Sequence, residues 1–180
     1  MKNSCVKISL FTFFIFSFLF SCKTPVQEME TDTSDSLEQE FLKVNKYLAD
    51  KNRDQIEAFV NRVGWEMELS STGLWYHIEK GDQSDQAKTI RANSRVSYAY
   101  LLQLLDGTHC YEATQESPQI ITVGKGGVEA GFEEGLLKMR EGDSAIFIIP
   151  PHLGHGNFGD RNKIPGNSVI IYKVRVLNVS

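Results

Sequence analysis

The chain has 180 residues, 23 acidic against 19 basic, with a formal charge of −4 and 41% hydrophobic residues. That length suits one main domain with an appendage. The acidic balance argues against a nucleic-acid partner, because such binding is dominated by cations facing phosphates.

Lys2 and Lys7 stand around a polar start, and an apolar run follows from Ile8 to Phe20. The run is short for a membrane-spanning helix, which needs about 20 residues, but it suits the apolar region of a secretory signal. It ends Leu19-Phe20-Ser21-Cys22, which resembles the lipobox of bacterial lipoproteins. In that family the signal is cut before the cysteine and the thiol carries a lipid. The resemblance implies a signal peptide over 1–21, lipidation at Cys22 and a membrane contact through that lipid. The location it implies is the cell envelope, by default the outer membrane facing the periplasm. Cutting before Cys22 removes Lys2 and Lys7 and takes the formal charge from −4 to −6. Cys5 leaves with the signal, so Cys110 has no second free thiol for an intrachain disulfide and the exported domain stands on its core.

Lys23 to Asp35 is polar, acidic and free of aromatics, so 22–35 is expected to be a solvated tether. Over 36–70 the spacing predicts two short amphipathic helices. Leu37, Phe41, Val44 and Leu48 share one face, with Ser36 and Gln39 as a capping box. Ile56, Phe59, Val60 and Val63 share another, with Asn52 as a cap and Gly64 as a stop. Short helices cannot bury such faces alone. They must pack on each other, on the following domain, or on a second copy, the last giving a homodimer through 36–63.

From residue 73 strands dominate. Gly73–Ile78 is β-rich, and Val96, Tyr98, Tyr100, Leu102 and Leu104 alternate ahead of the Asp106-Gly107 turn signal. Ile120–Val123 is a short apolar strand broken by Gly124, Gly126 and Gly127. Phe132, Leu136 and Met139 share a helical face that Gly142 is expected to end. Ala145–Ile149 is an apolar strand stopped by Pro150-Pro151; the loop His152–Ser168 leads to a last strand, Val169–Val179. Strands with one central helix indicate an α+β domain over 73–180.

The pieces Val96–Tyr100, Leu105–Thr108, Val123-Gly124, Val128, Gly131–Leu136, Met139, Gly142, Ile149-Pro150, Gly156, Ile164-Pro165 and Tyr172 resemble the FKBP-type peptidyl-prolyl isomerases. The resemblance covers the chain from residue 73 onward. It implies a strongly twisted antiparallel sheet wrapped around one short helix, with an apolar pocket between them. The lipoprotein head, the helical segment, Gly73–Tyr76 and the Gly159-Asp160 loop also resemble the exported lipoprotein members of gliding Gram-negative bacteria, the gliding-motility-associated isomerase among them.

The implied reaction is rotation about an X–Pro bond, slow without a catalyst because resonance makes the peptide partly double-bonded. The twisted transition state has lost that conjugation and carries less charge separation, so a desolvated cavity favours it, and a few hydrogen bonds can hold its carbonyl. No nucleophile, metal or cofactor is required, and the clients are proline-containing polypeptides. By the family's pattern Tyr100, Val128, Phe132, Ile164 and Tyr172 line the proline pocket, with Phe132 in place of a floor aromatic that is often tryptophan. Unaided by the resemblance, aromatics at such spacing read as core.

Four positions depart from the pattern. His155 stands where the family has a tyrosine whose hydroxyl donates to the substrate carbonyl; an imidazole N–H can donate too. Gln119 replaces a pocket phenylalanine. Glu129 occupies the place of an aliphatic residue that offers its backbone N–H. The usual phenylalanine–aspartate pair falls either on Cys110-Tyr111 or on Tyr111-Glu112. These changes make a catalytically weak chaperone or assembly module of an envelope machine the alternative function.

Other motifs carry less. His152 and His155 with His109-Cys110 are a thin basis for zinc, which wants four placed ligands. Gly124–Gly127 lacks the lysine–hydroxyl element of a phosphate loop. Glu133-Glu134 fits the first turn of a helix, where the dipole favours carboxylates.

Overall fold

The computed structural model describes residues 31–81 and 87–180. The signal segment, Cys22 and the tether up to residue 30 lie outside the described residues. Helix α1 (Thr31–Val63) comes first, followed by strands β1 (Glu68–Leu69), β2 (Trp75–Glu79), β3 (Arg95–Leu104), β4 (His109–Ala113) and β5 (Gln119–Thr122). A short helix α2 (Ala130–Leu136) precedes strands β6 (Ser144–Ile149) and β7 (Ile170–Val179), which are joined by a loop with two 3-10 turns. The chain divides between Leu42 and Lys43 into two compact units, and α1 runs across the division.

The seven strands form one antiparallel sheet in the order β1-β2-β6-β7-β3-β4, with β5 on β3 beside β4. The long central pair β3 and β7 runs from Val96 opposite Val179 to Leu104 opposite Ile170, with a bulge between Ser97 and Tyr98. Alternation on these strands puts Val96, Tyr98, Leu102, Tyr172, Val174 and Val176 on one face, where they bury with Phe132, Leu136 and Met139 of the α2 region. The expected α+β layout, a twisted antiparallel sheet around one short helix, is the fold that forms.

Close approach of α2 to the sheet depends on Gly135. A Cβ there would stand 2.6 Å from ring atoms of Phe147 on β6. The helix is shorter than expected and ends at Leu136, not Gly142. Its last turn tightens as Lys138 N donates to Gly135 O and Met139 N to Leu136 O. Gly142, at φ +87°, instead forms the turn into β6.

The amino-terminal segment corrects the expectation of two helices. No glycine or proline lies between Leu48 and Ile56, so nothing interrupts the ladder, and α1 is continuous. Asn52 and Ser36 lie inside the helix rather than at its caps, and residues 31–35, expected in the tether, are helical. The Asn52 side chain is buried and donates to Asn167 Oδ1 at 3.3 Å. Gly64 does end the helix, at φ +70°: Gly64 N and Trp65 N both donate to Val60 O, and the Trp65 ring closes edge-on against Phe59. Within Lys43–Ser180, Ile56 and Val60 pack on Ile148 and Ile171, the outward residues of β6 and β7. Each such buried side chain contributes roughly 1.5–3 kcal/mol. The sheet therefore has α2 on one face and the end of α1 on the other. Leu37, Phe41, Val44 and Tyr47 stay exposed. Among the described residues no helix is long and apolar enough to cross a membrane.

Candidate functional site

A cavity of about 560 Å³ opens between the start of α2 and the sheet. Strand β3 contributes Tyr98, Tyr100 and Leu102, β4 Tyr111, β5 Gln119 and β7 Tyr172; the segment before α2 supplies Gly127, Val128 and Glu129, and the β6–β7 loop Gly154 and His155. Phe132 is wholly buried one layer behind. Its ring lies 4.3 Å from that of Tyr172 and 5.2 Å from that of Tyr98, centroid to centroid. Tyr100 closes against Tyr172 at 5.4 Å. A larger hollow of about 640 Å³ lies over the outward side of the strands, lined by His77, Lys173 and Arg175 among others, and shares only Tyr100 with the first. The smaller cavity gathers the aromatic rings, so it is the candidate site.

Its chemistry centres on Glu129. As the residue before α2 it could cap the helix, but it makes no side-chain cap. The carboxylate turns into the cavity, where Tyr172 Oη donates to Oε1 at 3.1 Å and Oε2 at 3.0 Å. His155 Nε2 stands 2.7 Å from Oε1. An ionised carboxylate only accepts, so Nε2 carries the hydrogen. The Glu129 side chain is 10% exposed and that of His155 27%. Burial, then the Glu129 charge, then the hydrogen bond to it raise the Tyr172 hydroxyl far above the ordinary phenol range. Burial raises Tyr98 and Tyr100 as well, with Glu129 adding to both. All three rings therefore serve as neutral hydroxyls.

A latch beside the cavity orders the β6–β7 loop. Tyr111 Oη donates to Asp160 Oδ2, and Asn162 Nδ2 donates to Tyr111 Oη at 3.0 Å. Asp160 Oδ1 accepts from Asn162 N and Ile164 N, each at 2.8 Å. Desolvation pushes the Asp160 carboxyl up, but the bonds from Tyr111, Ile164 and Asn162, with the His155 charge, outweigh it and hold the group at about 2. Gly159, at φ +66°, permits this turn; a Cβ there would stand 2.0 Å from Ile164 O.

Residues 86–177 match the family model described as FKBP-type peptidyl-prolyl cis-trans isomerase. The chain belongs to this family. Over 156 residues it is 28% identical to the FKBP-type isomerase FkpA of Buchnera aphidicola, covering 87% of this chain and 60% of that protein. A probable FKBP-type isomerase of Haemophilus influenzae is 32% identical over 117 residues, covering 65% of this chain and 47% of that one. The chain thus spans less than two thirds of these curated relatives. The crystal structure of FkpA from Escherichia coli superposes with a TM-score of 0.59 at 25% identity, covering 100% of this chain and 84% of that one.

The residues expected from this FKBP pattern fall into two groups. Tyr100, Tyr111, Gln119, Val128, Glu129, His155 and Tyr172 meet on the cavity wall. Phe132 lies behind it, and Ile164, expected as a wall, is buried in the core at 2% exposure, outside the lining. The pocket expected to be apolar is aromatic and polar, because hydroxyls, an amide, an imidazole and a carboxylate all face it. At the open choice between Cys110-Tyr111 and Tyr111-Glu112 the strand carries a bulge: Leu102 pairs with Tyr111 and Gln103 with His109, leaving Cys110 as the extra residue. Cys110 buries in the core, Tyr111 reaches the cavity and Glu112 is exposed.

Tyr98 is a lining residue not singled out from the sequence, although its alternation with Tyr100 placed both on one face. Glu133 and Glu134 tie α2 to its surroundings, accepting from Gly124 N and Thr72 Oγ1. The histidines of the metal alternative have separate partners: His152 bonds Thr72 O, His109 faces Glu112, and His155 faces Glu129. Among the described residues no group of three or more His, Cys, Asp or Glu is placed to hold a metal.

Proposed function

We propose that this chain is a peptidyl-prolyl cis-trans isomerase that assists the folding of exported proteins, taking X–Pro segments into the cavity before α2. The observation that carries the reading is the wall of Tyr98, Tyr100 and Tyr172 backed by buried Phe132, in a chain that belongs to the FKBP family. Flat rings exclude water from a prolyl amide and favour the twisted, less polar form of that bond. The neutral hydroxyls of Tyr98 and Tyr100 stand at hand to bond its carbonyl. Turnover of Xaa-Pro peptides in a protease-coupled assay tests this. Wild type is expected to accelerate isomerisation, and Phe132→Ala, with folding retained, to lose most of it. Undetectable turnover across a panel of residues before proline overturns the reading.

One observation favours the alternative of a catalytically weak chaperone or assembly module. His155 Nε2, at the position where the family places a donating hydroxyl, is already engaged by Glu129 at 2.7 Å. Client binding without turnover is the outcome that selects it.

The proposal extends to a lipid-anchored protein of the cell envelope, held at Cys22 and facing the periplasm, of the type found in gliding bacteria. Its support is the apolar run Ile8–Phe20 ahead of Ser21-Cys22. An unmodified Cys22 in the mass of the mature amino terminus overturns it. A homodimer through 36–63 is supported by exposed Leu37, Phe41, Val44 and Tyr47 on α1. Light scattering of wild type against Phe41→Glu with Val44→Glu tests that; a monomer mass in both disposes of it.

A further inference from the structure

We infer that Glu129 makes the pocket selective for clients with a basic residue, lysine or arginine, immediately before the proline. The inference rests on the isomerase reading above and concerns which X–Pro bonds the site accepts.

Its ground is the set of charges facing the cavity. Among the described residues Glu129 is the one carboxylate on the lining, and no lysine or arginine lies there. A carboxylate has about four acceptor sites, and two donors engage it: the one Tyr172 hydroxyl proton, shared between both oxygens, and the His155 ring on Oε1. Oε2 keeps room for one further donor. The nearby charges come from two elements. His155, from the β6–β7 loop, is the only base on the lining among the described residues. Asp160 of the same loop bonds Tyr111. Lys163 lies outside the lining, donating to Cys110 O at 2.8 Å and lying over the Tyr111 ring at 5.1 Å. On β4, Glu112 and His109 face each other. Among the described residues no lysine or arginine of the lining faces the Glu129 carboxylate, whose side chain is 10% exposed.

The rest of the wall suits a cation. Four tyrosine rings line the same cavity as the carboxylate, and ring faces attract ammonium and guanidinium groups. A lysine before proline supplies the missing donor and the opposite charge. A leucine supplies neither. A glutamate sets a like charge against a partly desolvated one, the repulsive half of selectivity.

The test is NMR exchange on peptides differing only in lysine, leucine or glutamate before proline. Wild type is expected to favour lysine over glutamate in kcat/KM by roughly tenfold or more, with leucine between them. Glu129→Gln is expected to bring the lysine-to-glutamate ratio close to one, and Glu129→Asp to keep its direction. Glu79→Gln, on the exposed end of β2, keeps the wild-type ratio. Equal rates for the three peptides in wild type, or a lysine preference that survives Glu129→Gln, overturn the inference. Absence of turnover on every peptide overturns the isomerase reading instead. Titration of the same peptides, followed by amide shifts, then decides selectivity: lysine bound over glutamate through Glu129 upholds it, and equal binding ends it.

Discussion

At the scale of single residues, the site is ordered by two carboxylates with opposite tasks. Glu129 faces the cavity, and Asp160 fastens the loop that forms one side of it. Asp160 has a measurable acid signature. Its carboxyl sits at about 2, below the ordinary 3.8, so the folded state holds that proton less readily than the unfolded chain. The latch contributes its full stability above about pH 4 and loses it as pH falls toward 2. Urea unfolding of wild type and Asp160→Asn at pH 7, 4 and 2.5 checks this. Wild type is expected to lead by about 1–2 kcal/mol at pH 7, and the gap to narrow at the lowest pH. A gap independent of pH contradicts the latch. The Glu129–His155 contact could not be read from the sequence, because the two residues are far apart in the chain and meet only when the β6–β7 loop folds over α2. Each was visible alone, as a departure from the family's pattern.

At the scale of elements, short α2 holds its place through Gly135, whose missing side chain lets the helix rest on Phe147. Gly135→Ala is expected to destabilise the domain by about 1–3 kcal/mol or more, as overpacking does, although alanine favours helix. Thermal unfolding reads the sign directly, and a higher midpoint would show that the helix has room to shift. Most elements were legible. β3 announced itself by alternation, β6 by its apolar run before two prolines, and the end of α1 by Gly64. β4 was not, since His-Cys-Tyr-Glu-Ala has no clean alternation and the bulge at Cys110 puts neighbouring residues against the same core. The continuity of α1 was hidden by Asn52, a common capping residue that here serves a buried bond to Asn167. Tertiary partners outweigh local preference in both cases.

At the scale of the whole molecule, the sheet between α2 and the end of α1 makes that end of the helix part of the folding unit of Lys43–Ser180. Ile56→Ala is expected to cost about 2–5 kcal/mol in urea unfolding, while Asp54→Ala, exposed two residues before it, stays within about 0.5 kcal/mol. Equal effects would mean that α1 only brushes the sheet. Strand β7 stands between β6 and β3, so a chain delivered amino end first owns two separate half-sheets, β1-β2-β6 and β3-β4-β5, until residues 170–179 arrive. Each half carries a raw edge, and neither encloses a core. A chain threaded through a narrow channel would stay pliable for nearly its whole passage and lock shut at the last strand.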